Sequence, residues 1–185
     1  MSKRVYLAGP SVFFRDAATR RAALEGLCFR HFVEPVWPAD GDRPEHRGLS
    51  GREMGKSICL GNLAAILGSE AMVADISPFR GPHCDPGTAF EIAYAVARGI
   101  PVFAFTEAVA TDGACLRLTD RIWCERTADG IWRDVHGHMV EDFGMAENLM
   151  IGASVRMVCT SADAAIGHAA AFLRQPAQLS GEGMA

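Results

Sequence analysis

Three carboxylates follow one apolar segment in the middle of the sequence. Asp75 lies near the end of the segment 71–76, and Asp85 lies in the polar Pro/Gly stretch after it. Glu91 falls near the start of a predicted helix, where the helix dipole favours an ionised carboxylate. Such a carboxylate can attack the anomeric carbon of a sugar as a nucleophile. Taken alone, Glu91 fits an ordinary first-turn helix glutamate better, and Asp85 fits a turn residue.

Two further candidate residues lie at the end of the first apolar segment, 5–8. Tyr6 carries a phenol, which can donate a hydrogen bond to a carboxylate. A tyrosine in the protein core would give the same pattern. Gly9 would let the backbone approach a ligand closely, or it would simply serve a turn.

Apolar segments and helical patterns alternate along the chain. Strands are predicted at 5–8, 33–37, 71–76 and 101–105, and helices at 16–32, 50–67, 87–98 and 161–173. The strands are continuous apolar runs, which is typical of a parallel sheet that helices cover on both faces. We therefore predict an α/β fold with about five parallel strands. Ligands bind outside the carboxyl ends of such strands, where all three carboxylates fall.

The second half of the chain departs from this alternation. Short apolar runs at 121–126 and 131–136 flank Asp129 and Gly130, a pair typical of a hairpin turn. We therefore predict a β-hairpin within an insertion that spans about 107–140.

A helix is predicted to begin near Asn148 and to continue to about residue 158. The last helix is followed by a Gly/Ser/Pro-rich tail, 175–185, which we expect to be disordered. The chain is therefore predicted to form a single domain over residues 1–174.

Composition and motifs argue against several classes of function. The net charge is −4 and the basic residues are scattered, whereas nucleic-acid binding needs a basic stripe. No segment approaches the roughly 18 apolar residues of a membrane span. The pattern G-x-G-x-x-G and the P-loop pattern do not occur, so dinucleotide and triphosphate binding lack support.

The six cysteines form no C-x-x-C pair, and the first residues read as a strand rather than a signal peptide. We therefore expect reduced thiols and a cytoplasmic protein. The cluster His83-Cys84-Asp85 has no second ligand cluster at metal spacing, so no metal site is predicted.

Three motifs together resemble the nucleoside 2-deoxyribosyltransferase family. They are Y-L-A-G-P at 6–10, D-I-S-P-F-R-G-P-x-x-D-P-G-T-A-F-E-I-A-Y-A at 75–95, and E-D-F-G-M-x-x-N-L-M-I at 141–151. The resemblance implies a flavodoxin-like fold. It also implies transfer of a 2-deoxyribosyl group between nucleobases through a covalent glycosyl-glutamate, without metal or cofactor, in nucleoside salvage.

The same resemblance assigns catalytic roles to three residues. It makes Glu91 the nucleophile, and it implies that Tyr6 holds and tunes the Glu91 carboxylate. Asp75 would meet the nucleobase and help to deliver a proton to its leaving nitrogen.

The resemblance also implies a set of substrate-binding residues. Asp85 would hold sugar hydroxyls, and Gly9 and Phe13 would line the substrate site. Asn148 would reach the sugar hydroxyls in the site of a neighbouring subunit, with Met150 packed close by, so a homo-oligomer is implied. From the residues alone, a helix-capping asparagine and a core methionine would be preferred.

Two alternative functions remain open at this point. A hydrolase of nucleosides or nucleoside 5′-monophosphates would share the sugar site, but for a monophosphate it needs phosphate donors such as Arg15, Arg80, Ser11 or Ser77. A non-catalytic nucleotide-sensing module would keep the pocket without needing Glu91.

Overall fold

A five-stranded parallel sheet forms the centre of the fold. The computed structural model describes residues 2–39, 46–106 and 124–175. The strands of the described residues are β1 (Lys3–Ala8), β2 (Val33–Val36), β3 (Ala71–Asp75), β4 (Val102–Phe105), β5 (Cys124–Arg126), β6 (Trp132–Asp134) and β7 (Met157–Cys159), of which β5 and β6 form a separate hairpin. The sheet has the order β2-β1-β3-β4-β7, and every neighbouring pair is parallel. This is the flavodoxin-like strand order, so the predicted fold class is confirmed.

Helices cover both faces of the sheet, because side chains of successive strand residues point to opposite faces. The helices are α1 (Ala17–Arg30), α2 (Gly51–Leu67), α3 (Pro86–Ala97), α4 (Leu149–Gly152) and α5 (Ala162–Arg174). Val5 and Val73 pack with α1 and α5 on one face. Tyr6 and Met72 pack with α2 and α3 on the other. Tyr6 therefore lies on the face that α3 covers.

Side chains at the helix starts fix where the helices begin. The predicted capping box of α2 is present, with Ser50 and Glu53 bonding to each other's backbone N–H groups. Asp85 caps α3 through its side chain, and Ser161 caps α5.

The prediction of a helix from Asn148 to about residue 158 is wrong in its second half. Helix α4 ends at Gly152, and Met157–Cys159 forms β7 at the edge of the sheet. The Arg156 N–H donates to the Val102 carbonyl at 2.8 Å, and Phe103 pairs with Met157. The backbone N–H and C=O groups of this segment form hydrogen bonds with β4, whereas in a helix they would not pair with the sheet.

The predicted hairpin is present, with β5 and β6 pairing antiparallel around Asp129 and Gly130. Gly130 has a φ of 82°, a conformation that glycine adopts most readily. Residues 107–123 of the predicted insertion and 176–185 of the predicted tail lie outside the described residues. No helix in the described ranges is long and apolar enough to cross a membrane.

Candidate active site

Tyr6 and Glu91 meet on the α2/α3 face of the sheet. The Tyr6 hydroxyl donates a hydrogen bond of 2.7 Å to Oε1 of Glu91. Tyr6 is fully buried and Glu91 is only 8% exposed. Because α3 begins at Pro86, Glu91 lies beyond its first turn, and no acidic residue occupies that turn. Burial and the tyrosine, rather than the helix dipole, therefore define the surroundings of this carboxylate.

Asn62 is a third member of this group, which the sequence analysis missed. Its Nδ2 donates to Oε1 of Glu91 at 3.3 Å, while its Oδ1 accepts from the Ala39 N–H at 2.6 Å. Asn62 lies four residues after Ile58 and four before Ile66, on the helix stripe that carries the buried Ile66. An asparagine within an apolar stripe was the available signal.

The two oxygens of Glu91 have different surroundings. Both hydrogen bonds go to Oε1, and no residue in the described part of the chain donates to Oε2. Burial raises the pKa of Glu91, the bonds from Tyr6 and Asn62 lower it, and the nearby Asp85 charge raises it, with a net upward shift. Burial and the Glu91 charge raise the pKa of Tyr6, so its hydroxyl remains a donor. One oxygen is thus held by two donors, while the other has no donor among the described residues.

Gly9 and Asp75 pack against each other at the carboxyl ends of β1 and β3. Gly9 has a φ of 153°, and a Cβ added to it would lie 2.9 Å from Cβ of Asp75. Oδ1 of Asp75 accepts from the Ser77 N–H at 2.9 Å. These neighbouring strands flank the point where the strand order reverses, which is where ligands bind in folds of this type.

Phe13 lies in the short 3₁₀ helix Pro10–Phe13 that follows β1. Its ring is 56% exposed and stacks on Phe79, with ring centroids 5.5 Å apart. The Arg80 guanidinium lies 5.1 Å from the Phe13 ring and 4.7 Å from the Phe79 ring. The loops after β1 and β3 therefore contact each other above the sheet edge.

Asp85 and Asn148 both cap helices. Oδ2 of Asp85 accepts from the Thr88 N–H at 3.0 Å, at the start of the helix that carries Glu91. Oδ1 of Asn148 accepts from the Met150 N–H at 3.0 Å, and its Nδ2 donates to Glu141 at 2.9 Å. Met150 is 71% exposed and does not belong to the core, contrary to the preference from the residues alone.

A cavity of about 240 Å³ lies beside the end of β3. It is lined by residues of the loop after β3, of the hairpin and of the segment 139–149, among them Ile76, His83, Asp134, Glu141, Glu147 and Asn148. Tyr6 and Glu91 are not among its lining residues. The structure thus brings Tyr6 to Glu91 and Gly9 to Asp75, while Asn148 lies at this neighbouring cavity.

The sequence model of the family described as "Nucleoside 2-deoxyribosyltransferase" matches residues 5–150. The chain belongs to this family. The match includes every candidate site residue, from Tyr6 to Met150, and runs from within β1 to the beginning of α4. In the described ranges, no group of three or more His, Cys, Asp or Glu side chains is arranged to hold a metal ion.

This deoxyribosyltransferase-family chain is similar to several known proteins. A solved structure titled "2-desoxiribosyltransferase from Leishmania mexicana" is 27% identical, with a TM-score of 0.67 over 91% of this chain and 97% of that one. A conserved protein from Enterococcus faecalis V583, 22% identical, shares the fold with a TM-score of 0.57 over 90% of this chain and 96% of that one. An uncharacterized protein of Schizosaccharomyces pombe is 28% identical over 83% of this chain and 77% of its own length.

The buried Glu91 carboxylate is expected to lower the stability of the folded protein at neutral pH. Its folded-state pKa lies above the unfolded value, so stability falls as the pH rises from the unfolded pKa through the folded one. Glu91→Gln keeps an acceptor for Tyr6 and removes the charge. The variant should therefore melt higher at pH 7, by about 2–4 °C for each kcal/mol regained in a domain of this size. Calorimetry should show the difference vanish at acidic pH, and an equal difference at all pH values would contradict this account.

Proposed function

We propose that this protein transfers a 2-deoxyribosyl group between nucleobases, with Glu91 as a covalent nucleophile and with net retention of configuration. One observation carries the proposal: Tyr6 and Asn62 both bind Oε1 of the buried Glu91 and leave Oε2 without a described donor. A fixed carboxylate of this kind stabilises an oxocarbenium-like centre and then bonds to it. The family membership and the similarity to the Leishmania mexicana deoxyribosyltransferase support the same chemistry.

The proposed reaction has two displacement steps at one carbon. First, Oε2 of Glu91 bonds to the anomeric carbon while the glycosidic C–N bond breaks. The bonding electrons leave with the base, which takes up a proton that Asp75 helps to deliver. Then a ring nitrogen of the incoming base attacks from the opposite face, breaks the ester to Glu91 and loses its proton. Two inversions give net retention.

The substrate-binding residues extend this proposal to an oligomer. Asp85 would hold sugar hydroxyls beside Glu91, and Gly9 and Phe13 would line the site. Asn148 and Met150 would complete the site of a neighbouring subunit in a homo-oligomer. Phe90 on α3 and Met150 on α4 are large apolar side chains that lie exposed in the single chain, and we propose that this interface covers them.

Base exchange is the direct test of the proposal. The protein is incubated with deoxyinosine in phosphate-free buffer, with and without excess adenine, and the products are separated by chromatography. Transfer produces deoxyadenosine only when adenine is present. If no product forms from deoxyinosine, deoxycytidine, thymidine or deoxynucleoside monophosphates, the nucleotide-sensing module is favoured instead.

Hydrolysis of a nucleoside monophosphate is a second candidate, and the position of Arg80 favours it. The guanidinium is held over Phe13 and Phe79 at the edge of the site, where a cation could bind a 5′-phosphate. Release of a free base from a deoxynucleoside monophosphate, with no exchange product when adenine is present, would establish this activity in place of transfer.

Asn62 gives a test of how Glu91 is held. Asn62→Ala removes the weaker of the two donors to Oε1 and also leaves the Ala39 N–H without its partner. We expect base exchange to fall by roughly 3- to 10-fold, because this bond is long at 3.3 Å and should contribute only about 0.5–1.5 kcal/mol, less than a short hydrogen bond to a charged group. Initial rates at saturating deoxyinosine measure the effect, and Asn62→Asp, which adds a negative charge beside Glu91, should reduce the rate further. An unchanged rate in both variants would remove Asn62 from the site.

A further inference from the structure

Glu147 is a buried carboxylate that joins two separate segments of the chain. It is 6% exposed. Its Oε1 accepts from Nδ1 of His83 at 2.6 Å and from the Asn148 N–H at 2.8 Å. Its Oε2 accepts from the Cys84 N–H at 2.9 Å. Two donors from the distant pair His83 and Cys84 and one from the next residue, Asn148, therefore converge on one side chain.

The two joined segments carry two of the proposed substrate-binding residues. Cys84 directly precedes Asp85, which caps the helix that carries Glu91. On the other side, the backbone of Asn148 binds Glu147, and its side-chain Nδ2 donates to Glu141. A shift of the Glu147 carboxylate would therefore move Asp85 and Asn148 together.

A buried carboxylate is costly unless donors surround it, so an apolar residue would satisfy packing at this position more simply. Here the donors are one imidazole and two backbone N–H groups, and backbone donors fix the path of the chain itself. The bonds from His83, Asn148 and Cys84 outweigh burial and hold the pKa of Glu147 below its ordinary value. The arrangement thus suits a role in fixing geometry.

We propose that Glu147 is a positioning residue, which holds the loop of Asp85 and the segment of Asn148 in one fixed arrangement for substrate binding. This inference rests on the proposed function, because Asp85 and Asn148 matter only if they bind the sugar. Asn148 is fixed in the same way whether it completes the site of its own subunit or that of a neighbour.

The His83 bond adds a pH-dependent readout. His83 faces Glu147 and Glu141, and Asp134 of the hairpin lines the same cavity. The bond to Glu147, with help from the charges of Glu147 and Glu141, raises the pKa of His83 above its ordinary value. The charge-assisted bond is therefore complete where Glu147 is ionised and His83 is protonated, and it weakens as the pH rises through the raised pKa of His83. We expect the KM for deoxyinosine to rise over the same interval in the wild-type protein.

The test compares Glu147→Gln with Asp163→Asn in the full chain. Asp163 lies 2.8 Å from Nε2 of His31, in a histidine–carboxylate pair in the first turn of α5, the helix that packs on the opposite face of the sheet. For each variant, hydrogen–deuterium exchange is measured for residues 77–85 and 141–149, and KM and kcat are measured for deoxyinosine with adenine. Glu147→Gln should speed exchange in both segments and raise KM by about tenfold, with a smaller change in kcat, because it weakens ground-state and transition-state binding alike. Asp163→Asn should change neither segment.

His83→Gln keeps the buried carboxylate and removes only an exposed ring. It therefore still tests the proposal if Glu147→Gln does not fold. It should raise KM and abolish the alkaline rise of KM. If hydrogen–deuterium exchange in Glu147→Gln is unchanged, or is faster in only one of the two segments, the proposal is overturned. Faster hydrogen–deuterium exchange in both segments of Glu147→Gln with an unchanged KM for deoxyinosine would overturn it as well. An inactive wild-type protein would instead refute the proposed function and the substrate role with it, while the exchange data would still show whether Glu147 joins the segments.

Discussion

Glu91→Gln is expected to reduce base exchange by at least about 10³-fold, since removing a covalent nucleophile eliminates the route that it provides. Glutamine has nearly the same shape, and its carbonyl oxygen can still accept from Tyr6 and Asn62. It cannot form the glycosyl ester, because its second terminal atom is an amide nitrogen. The fold should survive, and the rise in melting temperature argued above would show it directly.

The matched control is Glu53→Gln, which changes a glutamate in the capping box of α2, away from Glu91. This variant should lose some folding stability and keep the wild-type rate of base exchange. Rapid acid quenching followed by mass spectrometry should find a deoxyribosyl group on the peptide that contains Glu91, in the wild-type protein alone. Exchange retained in Glu91→Gln, or a label on another residue, would refute the site assignment.

Most of the fold could be predicted from the sequence because the central strands are uniformly apolar. Strands β3 and β4 are buried on both faces, and such runs are typical of parallel sheets. The edge strand β7 has only three residues and a mixed burial pattern. Its conformation is set by pairing with β4, a contact between segments about fifty residues apart, which no local pattern records.

The candidate site was predictable to the extent that its residues lie in continuous motifs. Glu91 and Tyr6 were candidates from their residue types and positions, the family resemblance implied their roles, and the structure adds that a hydrogen bond joins them. Asn62 and Glu147 were missed because their partners are distant in sequence: Asn62 reaches Glu91 from another helix, and Glu147 reaches a loop. Side-chain hydrogen bonds of this kind have no periodicity to detect.

The ionised state of Glu91 has a different basis in the structure from the one that the sequence predicts. From the sequence alone, the helix dipole favours the carboxylate, an effect that falls off within the first turn. Glu91 lies beyond that turn, and burial instead raises its pKa, so ionisation depends on the donors Tyr6 and Asn62. The hydroxyl of Tyr6 should therefore matter more to activity than the position of Glu91 along its helix.

Tyr6→Phe is expected to lower base exchange at neutral pH by roughly 10- to 100-fold, because a hydrogen bond to a charged group contributes about 1.5–3 kcal/mol. Without the hydroxyl, only the 3.3 Å bond from Asn62 holds Oε1, and the carboxylate can rotate away from the anomeric carbon. The variant should also shift the pH dependence. The Tyr6 bond lowers the pKa of Glu91, so its loss raises that pKa further.

Since Glu91 attacks as the carboxylate, activity should fall as the pH drops through its pKa, and Tyr6→Phe should move this acidic limb to higher pH. The control is Tyr94→Phe, at the only other tyrosine in the sequence, whose ring contacts Arg98, the C-cap residue of the same helix. Rates of deoxyadenosine formation over a range of pH measure both variants, and Tyr94→Phe should match the wild-type protein. A Tyr6→Phe variant with an unmoved acidic limb would mean that the hydroxyl does not tune Glu91. A lower rate with that unmoved limb would restrict Tyr6 to orienting the carboxylate, and an unchanged rate would exclude it from catalysis.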